Sequence, residues 1–184
     1  MLKKFTSSLG ILILLLVFIN PAFAEIHSVE MQVDGMTCPF CVYGIEKKLE
    51  ALREVQEASA NLKKATVDIK LKNNEPIDIR RLNDAVRESG FTPGRIQIKA
   101  AGKLTDYNLE GRNQAALEVT GPNQLFLLIS TPNHGKEEFL SDEKLNEVEK
   151  ATGGGKKEIT ITGYIHSHPE GFPPALSVES FESK

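Results

Sequence analysis

The chain of 184 residues contains no tryptophan, only two cysteines and only three methionines, and aromatic residues make up 7% of it. A hydrophobic core must therefore be built mainly from aliphatic side chains. Two cysteines are too few for the disulfide framework of a small secreted scaffold. The sequence also lacks internal repeats and low-complexity segments, so we expect ordinary globular domains.

An excess of basic residues is also missing. The formal net charge is −3, and it falls to −5 for residues 25–184 once the two lysines of the first 24 residues are set aside. Nucleic acids and anionic membranes attract proteins through clustered lysine and arginine. We therefore expect neither of them as a partner.

The first 24 residues resemble a secretory signal peptide. Lys3 and Lys4 precede a short apolar run, Ile11–Ile19, and the small residues Ala22 and Ala24 follow it. The run is too short to span a membrane comfortably, and the order of charge, apolar run and small residues is that of a cleavage signal. We expect cleavage after Ala24, export to the periplasm and no membrane span in the mature chain.

Residues 25–99 predict a first domain. Alternating Val29, Met31 and Val33 predict a strand, and apolar residues at helical spacing predict a helix over about 39–53. Further strands are predicted at 55–62, 67–71 and 96–98, with a second helix over 77–89. The order β-α-β-β-α-β is that of the ferredoxin-like fold, so the predicted fold class is α+β.

Residues 100–184 predict a second domain, which Ala100–Lys103 would connect to the first as a short joint. Strand patterns occupy 116–120, 125–129, 157–166 and 175–182. Ser141 is a predicted N-cap for one helix between the second and third of these strands. Short strands around one helix predict a small β-barrel of the oligonucleotide/oligosaccharide-binding (OB) type.

The two cysteines, Cys38 and Cys41, lie where the first predicted loop enters the first helix. Backbone N–H groups and the helix dipole favour a thiolate at such a position. A disulfide across two residues closes almost no loop and would restrain the unfolded chain little. Two thiolates satisfy a soft, low-coordinate ion such as Cu(I) or Hg(II), whereas zinc requires four ligands.

A thiol–disulfide redox pair is the alternative reading of the same cysteines. The "CPFC" segment carries the proline common in redox pairs, and an exported protein could use one. However, "GMT" precedes Cys38 where a redox fold would have an aromatic-rich strand end. The first domain also lacks the extra strand and helix ahead of the cysteines. The pattern therefore favours a metal site over a redox couple.

The segment "GMTCPFC" followed by Ile45 and Leu49 resembles the motif of the heavy-metal-associated domain family. "NLKKATVDI" and "VRESGF" are similar to later runs of that family, so the resemblance covers about residues 26–98. The family includes copper chaperones, modules of metal-transporting ATPases and a periplasmic mercury-binding protein. It implies a metal-binding protein, and since the residues show no catalytic constellation we do not expect an enzyme.

Carried over to this sequence, the resemblance makes Cys38 and Cys41 the two ligands of one Cu(I) or Hg(II) ion per chain. It implies a metal donor or acceptor protein as partner, such as a membrane metal transporter. Met36 is implied to be a packed residue and Phe91 to lie near the site. Glu54 departs from the family, which usually has glycine at that position.

Two further interpretations remain open from the sequence. His166 and His168 alternate at the end of a predicted strand, and with His134 they could form a second metal site. Exposed histidines near a turn are the more common case. The domain could also be kept as an interaction module in which metal is incidental. No nucleophile triad, paired carboxylates or phosphate loop points to catalysis.

Overall fold

The computed structural model describes residues 25–72, 75–131, 138–169 and 171–183. The predicted signal peptide and His134 lie outside these residues. Within them, no helix is long and apolar enough to cross a membrane.

The first half of the chain has the predicted β-α-β-β-α-β order. Its elements are β1 (Ile26–Asp34), α1 (Pro39–Glu50), β2 (Val55–Asn61), β3 (Thr66–Leu71), α2 (Ile79–Glu88) and β4 (Thr92–Leu109). The strands lie in the order β2-β3-β1-β4 and pair antiparallel. This is the ferredoxin-like arrangement, and that part of the predicted fold is confirmed.

The second half adds β5 (Arg112–Val119), β6 (Gln124–Ile129), α3 (Asp142–Thr152), β7 (Glu158–His166) and β8 (Ala175–Ser183). β4 pairs with β5, β5 with β6, β6 with β8, β8 with β7, and β7 again with β4. All of these pairs are antiparallel except β6 with β8. The five strands therefore form a closed circuit of pairings.

The predicted joint at Ala100–Lys103 is wrong, because these residues lie inside β4. Ala101 pairs with Thr160 and Gly102 with Ile159. A Cβ on Gly102 would overlap the backbone carbonyl of Glu118, so the glycine permits close approach of β5 rather than a bend. β4 has 18 residues and belongs to both halves. The domain limits themselves stay a prediction.

The helix ends follow local sequence signals. The side chain of Ser141 accepts a hydrogen bond from the backbone N–H of Lys144, as an N-cap does. α3 ends at Gly153, whose positive φ of 61° is easily adopted by glycine. Asp78 caps α2 by accepting from the N–H groups of Arg80 and Arg81. These caps fix where the helices begin relative to the sheet.

A single buried cluster runs through both halves. Val29, Met31 and Ile45 from the first half belong to the same cluster as Phe126 and Leu176 from the second. Where the two halves meet, the side-chain amide of Gln124 makes two hydrogen bonds to the backbone of Ile77. Its oxygen accepts from the Ile77 N–H at 2.9 Å, and its nitrogen donates to the Ile77 carbonyl at 3.0 Å. Burial of apolar surface is the main favourable term in folding. Both halves are therefore stabilised mainly by the same buried apolar cluster.

Candidate metal site

The loop between β1 and α1 turns sharply at Gly35. Its φ of +92° is a conformation that side-chain-bearing residues rarely adopt. The ring of Phe91 lies within van der Waals distance, 3.6 Å, of the place where a Cβ on Gly35 would be. Met36 follows with its side chain buried in the core. The loop is therefore held at both of these residues before it reaches the first cysteine.

Cys38 is the N-cap residue of α1. Its backbone is extended, with φ −119° and ψ 126°, and Pro39 occupies the first helical position. Proline suits that position because its missing N–H would have no helical partner there. The Cys38 residue is half-buried. Its sulfur therefore belongs to a helix N-terminus, where the dipole and free N–H groups favour the thiolate.

Cys41 is the third residue of the same helix. The N-cap and third positions of a helix lie one turn apart, the spacing that a capping box uses for reciprocal contacts. The backbone thus places both cysteines in the first turn of α1. The position of the Cys41 side chain lies outside the described part of the structure, so its role as a ligand stays a prediction.

Two lysines lie close to this end of the first half. The turn over residues 62–65 lies beside the end of β1, since the N–H of Val33 donates to the carbonyl of Ala65 at 2.9 Å. That turn carries Lys63 and Lys64. Positive charge nearby favours a thiolate over a thiol.

Among the described residues, the resolved pKa shifts belong to Lys47 and Glu50, in the last turn of α1. A 2.6 Å hydrogen bond joins the two side chains. The hydrogen bond and charge of Glu50 raise the pKa of Lys47, and the hydrogen bond from Lys47 lowers the pKa of Glu50. Both groups therefore stay charged across the neutral range.

The histidines do not assemble into a second metal site in the part of the chain that the structure describes. There, no group of three or more histidine, cysteine, aspartate or glutamate side chains could hold an ion. The Nδ1 atom of His168 lies 2.8 Å from the carbonyl oxygen of Pro173. His27 lies 3.0 Å from the carboxylate of Glu25. His134, the third residue of that prediction, is outside the described residues.

Sequence reasoning overlooked the surface around the cysteines. Phe40, between the two cysteines, is 91% exposed, and Tyr43 is 64% exposed. The apolar face of the helix contains Val42, Ile45 and Leu49. On a helical projection, Phe40 and Tyr43 lie outside that apolar face. The spacing of apolar residues therefore already predicted that these two side chains would be exposed.

Comparison with known proteins identifies the first half. The family model described as "Heavy-metal-associated domain" matches residues 30–92. Those residues form a heavy-metal-associated domain. The copper-transporting ATPase 2 of Rhizobium meliloti (strain 1021) is 40% identical over 69 residues, which is 36% of this chain. The matched part is 8% of that ATPase, so the chain spans only a small fraction of its length.

Solved structures similar to part of this chain include a CopZ metallochaperone, with 23% identity and a TM-score of 0.33, covering 35% of this chain and 96% of that one. Another is the putative copper-ion-binding protein of Bacillus anthracis str. Ames, with 21% identity and a TM-score of 0.35, covering 39% of this chain and 99% of that one. A yeast copper transporter domain, solved in apo and Cu(I)-loaded states, has 24% identity and a TM-score of 0.33. The match covers 36% of this chain and 89% of that one.

Proposed function

We propose that this protein is an exported carrier that captures one Cu(I) ion between Cys38 and Cys41 and transfers it to a partner protein. The observation that carries the proposal is the placement of both cysteines in the first turn of α1, within the heavy-metal-associated domain. Two thiolates suit a soft ion that accepts low coordination. The copper-related names of the similar proteins favour Cu(I) over Hg(II).

Transfer requires that another ligand can approach the ion. The half-buried Cys38 lies at the start of α1, and the adjacent Thr37 and Phe40 are exposed. In the proposed step, a partner thiolate bonds to Cu(I), a three-coordinate intermediate forms, and one of the two cysteine thiolates leaves. The ion stays Cu(I), so no electron is exchanged. A metal-transporting membrane protein is the class of partner that we propose.

We also propose that the five-strand circuit is an OB-like barrel that holds the metal-binding half in a fixed orientation. Its strand order, its parallel β6–β8 pair and the position of α3 between β6 and β7 support this. Residues 25–99 contain as many acidic as basic residues. The net negative charge of residues 25–184 therefore comes entirely from residues 100–184. An acidic module of this kind suits assembly with proteins rather than with nucleic acid.

The first experiment is anaerobic titration of the reduced residues 25–184 with Cu(I) against a chromophoric chelator. One ion per chain should bind, and Cys38→Ser and Cys41→Ser should each weaken binding by orders of magnitude. His168→Ala is the matched control and should bind like the wild type. Repeating the titration with Hg(II) tests the second ion of the same class.

Absence of binding while both thiols react with a thiol reagent would refute the carrier proposal. A measured thiol–disulfide potential in the oxidising range, together with oxidation of a reduced protein substrate, would then support the redox alternative. If partner binding survives in the Cys38→Ser, Cys41→Ser double variant and no copper binds, the domain is an interaction module.

A further inference from the structure

A groove runs along the boundary between the two halves of the chain. Its first compartment, of about 280 Å³, is lined by Arg53 and the start of α2 from the first half and by the connection between β7 and β8 from the second. A second compartment, of about 410 Å³, lies between α2 and the strands β4 and β7. Ile79 and Ser167 line both compartments, so the two are neighbours in one groove. Boundaries between domains are common places for ligand sites.

The groove is basic although the chain is acidic. Among the described residues, four arginines and two acids line it, whereas residues 25–184 carry a net negative charge. Both acids already have partners. Asp78 accepts hydrogen bonds from the N–H groups of Arg80 and Arg81, and Glu54 is paired with Arg81. The excess of positive charge therefore favours an acidic ligand.

Two solvent-exposed arginines lie in different compartments. Arg53 lines the first compartment. Its side chain is 72% exposed, and its Nε atom lies 4.0 Å from the Glu75 carboxylate. Arg95 lines the second compartment, where its guanidinium lies over the Tyr164 ring at 4.6 Å. A guanidinium can bind a carboxylate through two parallel hydrogen bonds. A ligand that uses both arginines must extend through both compartments.

Two acceptor side chains that line the groove lack hydrogen-bond donors. In the described part of the chain, neither oxygen of the Glu54 carboxylate accepts a hydrogen bond, and the same holds for the buried Oδ1 atom of Asn83. Glu54, which is 1% exposed, lines the first compartment, and Asn83 lines the second. Buried acceptors are normally paired, because an unpaired one costs free energy. A ligand that brings N–H groups into both compartments would satisfy them.

A peptide supplies both kinds of group. Its acidic side chains can meet the arginines, and an extended main chain offers an N–H group about every 3.3 Å. The exposed ring of Phe172, which lines the first compartment, provides an apolar surface for a side chain between the acids. The sugar–phosphate backbone of DNA has the charge but no donor for Asn83 or Glu54. The combination of groups in the groove therefore favours a peptide.

We propose that the groove binds an extended acidic peptide segment of another protein. The carboxylates of the peptide pair with Arg53 and Arg95, and its main-chain N–H groups donate to Asn83 and Glu54. Both acceptors are covered in the free protein, so side chains of the groove wall rotate as the peptide enters, which is common when protein interfaces form. The inference is separate from the proposed carrier function, because no step of it involves the cysteines or a metal ion.

The test uses residues 25–184 with reduced thiols and without metal. Fluorescence anisotropy measures binding of a labelled, ten-residue peptide of alternating glutamate and valine. The wild type should bind it, and added salt should weaken binding. An Arg53→Gln, Arg95→Gln variant should raise the dissociation constant about 10-fold. Arg87→Gln, Arg112→Gln is the matched control, since it removes two exposed arginines that do not line the groove, and it should bind like wild type.

Asn83 tests the second compartment independently. Asn83→Asp places a negative charge there and should raise the dissociation constant of the acidic peptide about 10-fold. Asn146→Asp, at an exposed position of α3, adds the same charge elsewhere and should have no effect. In NMR spectra of the wild type, the side-chain amide signals of Asn83 should shift when the peptide is added, and those of Asn146 should stay in place.

No binding by the wild type, or equal binding by the arginine variant and its control, would overturn the proposal. Equal or tighter binding of a single-stranded oligothymidylate or of a galacturonate tetramer, lost in the arginine variant, would assign the groove to a nucleic acid or an acidic oligosaccharide instead. Circular dichroism checks that each variant is folded. If the arginine variant does not fold, Asn83→Asp and Phe172→Ala decide, and unchanged binding by both would refute the peptide site.

Discussion

Gly163 of β7 lies against the backbone carbonyl of Ser177 in β8, so closely that a Cβ on Gly163 would overlap the carbonyl oxygen. The register of β7 and β8 shifts between Thr162 and Gly163 at this point. On its other side, Gly163 pairs with Ile98 of β4. The glycine therefore sits where the second half joins the strand that both halves share.

Gly163→Ala should lower the free energy of unfolding by about 1–3 kcal/mol, because the methyl group forces backbone atoms apart. Denaturant titration followed by circular dichroism measures this change. Since β4 is shared, the ferredoxin-like half should lose stability in the same transition.

Gly44→Ala is the matched control for that substitution. Gly44 is an exposed residue within α1 and has no atom within 4 Å of an added Cβ. Alanine there should stabilise the protein by up to about 1 kcal/mol, because glycine is a poor helix former. A stable Gly163→Ala variant would show that the two strands are not so close in solution.

Gln124→Ala should weaken the connection between the halves. It removes both hydrogen bonds to the backbone of Ile77, a buried residue. Unfolding free energy should fall by about 1–3 kcal/mol, since buried backbone groups lose their partners. Hydrogen exchange at the Ile77 amide reports the local effect. Gln56→Ala, at an exposed position of β2, should leave both measurements unchanged.

Glu54 forms an ion pair with Arg81. The family usually has glycine at the position of Glu54, and a glycine could not form this pair. Arg81 Nη1 lies 2.9 Å from Glu54 Oε2, with the Glu54 side chain 1% and the Arg81 side chain 40% exposed. Neither Glu54 oxygen accepts a hydrogen bond from the described residues. The guanidinium is therefore the group that compensates the buried charge.

Arg81→Met should lower the free energy of unfolding by about 1–3 kcal/mol. This loss is smaller than that expected for a fully buried ion pair, because water reaches the Arg81 side chain. Adding Glu54→Gln should recover part of the loss, and a double-mutant cycle gives the coupling free energy. Lys48→Met, which breaks the exposed contact to Glu88, should have almost no effect. A loss of equal size for Lys48→Met would contradict this account of Glu54.

Lys47→Met should raise the pKa of Glu50 toward its ordinary value, because the hydrogen bond from Lys47 is the main cause of the lowered pKa. A lowered carboxyl pKa stabilises the fold above the unfolded-state pKa, and the contribution disappears as pH falls through the folded-state value. The contribution is small because the pair is exposed and screened by salt. An NMR titration of the Glu50 side chain measures the shift, and Lys48→Met should leave it unchanged.

Local sequence determined most of the ferredoxin-like half and the location of the candidate site. Alternation of Val29, Met31 and Val33, and helical spacing of Ile45 and Leu49, need only neighbouring residues to be interpreted. The same holds for the Ser141 cap. Both cysteines were placed at the start of α1 by the motif, and the backbone agrees.

Tertiary structure alone decided how the halves join. "AAGK" predicts a joint by composition, yet Gly102 is a strand residue that allows β5 to approach. The burial of Glu54 and the Gln124 contact with Ile77 depend on residues far apart in the chain. Periodicity reports which face of an element is apolar, whereas long-range pairing decides what that face meets. For this protein, the sequence determined the position of the cysteine pair at the start of α1, and the fold determined how the two halves join.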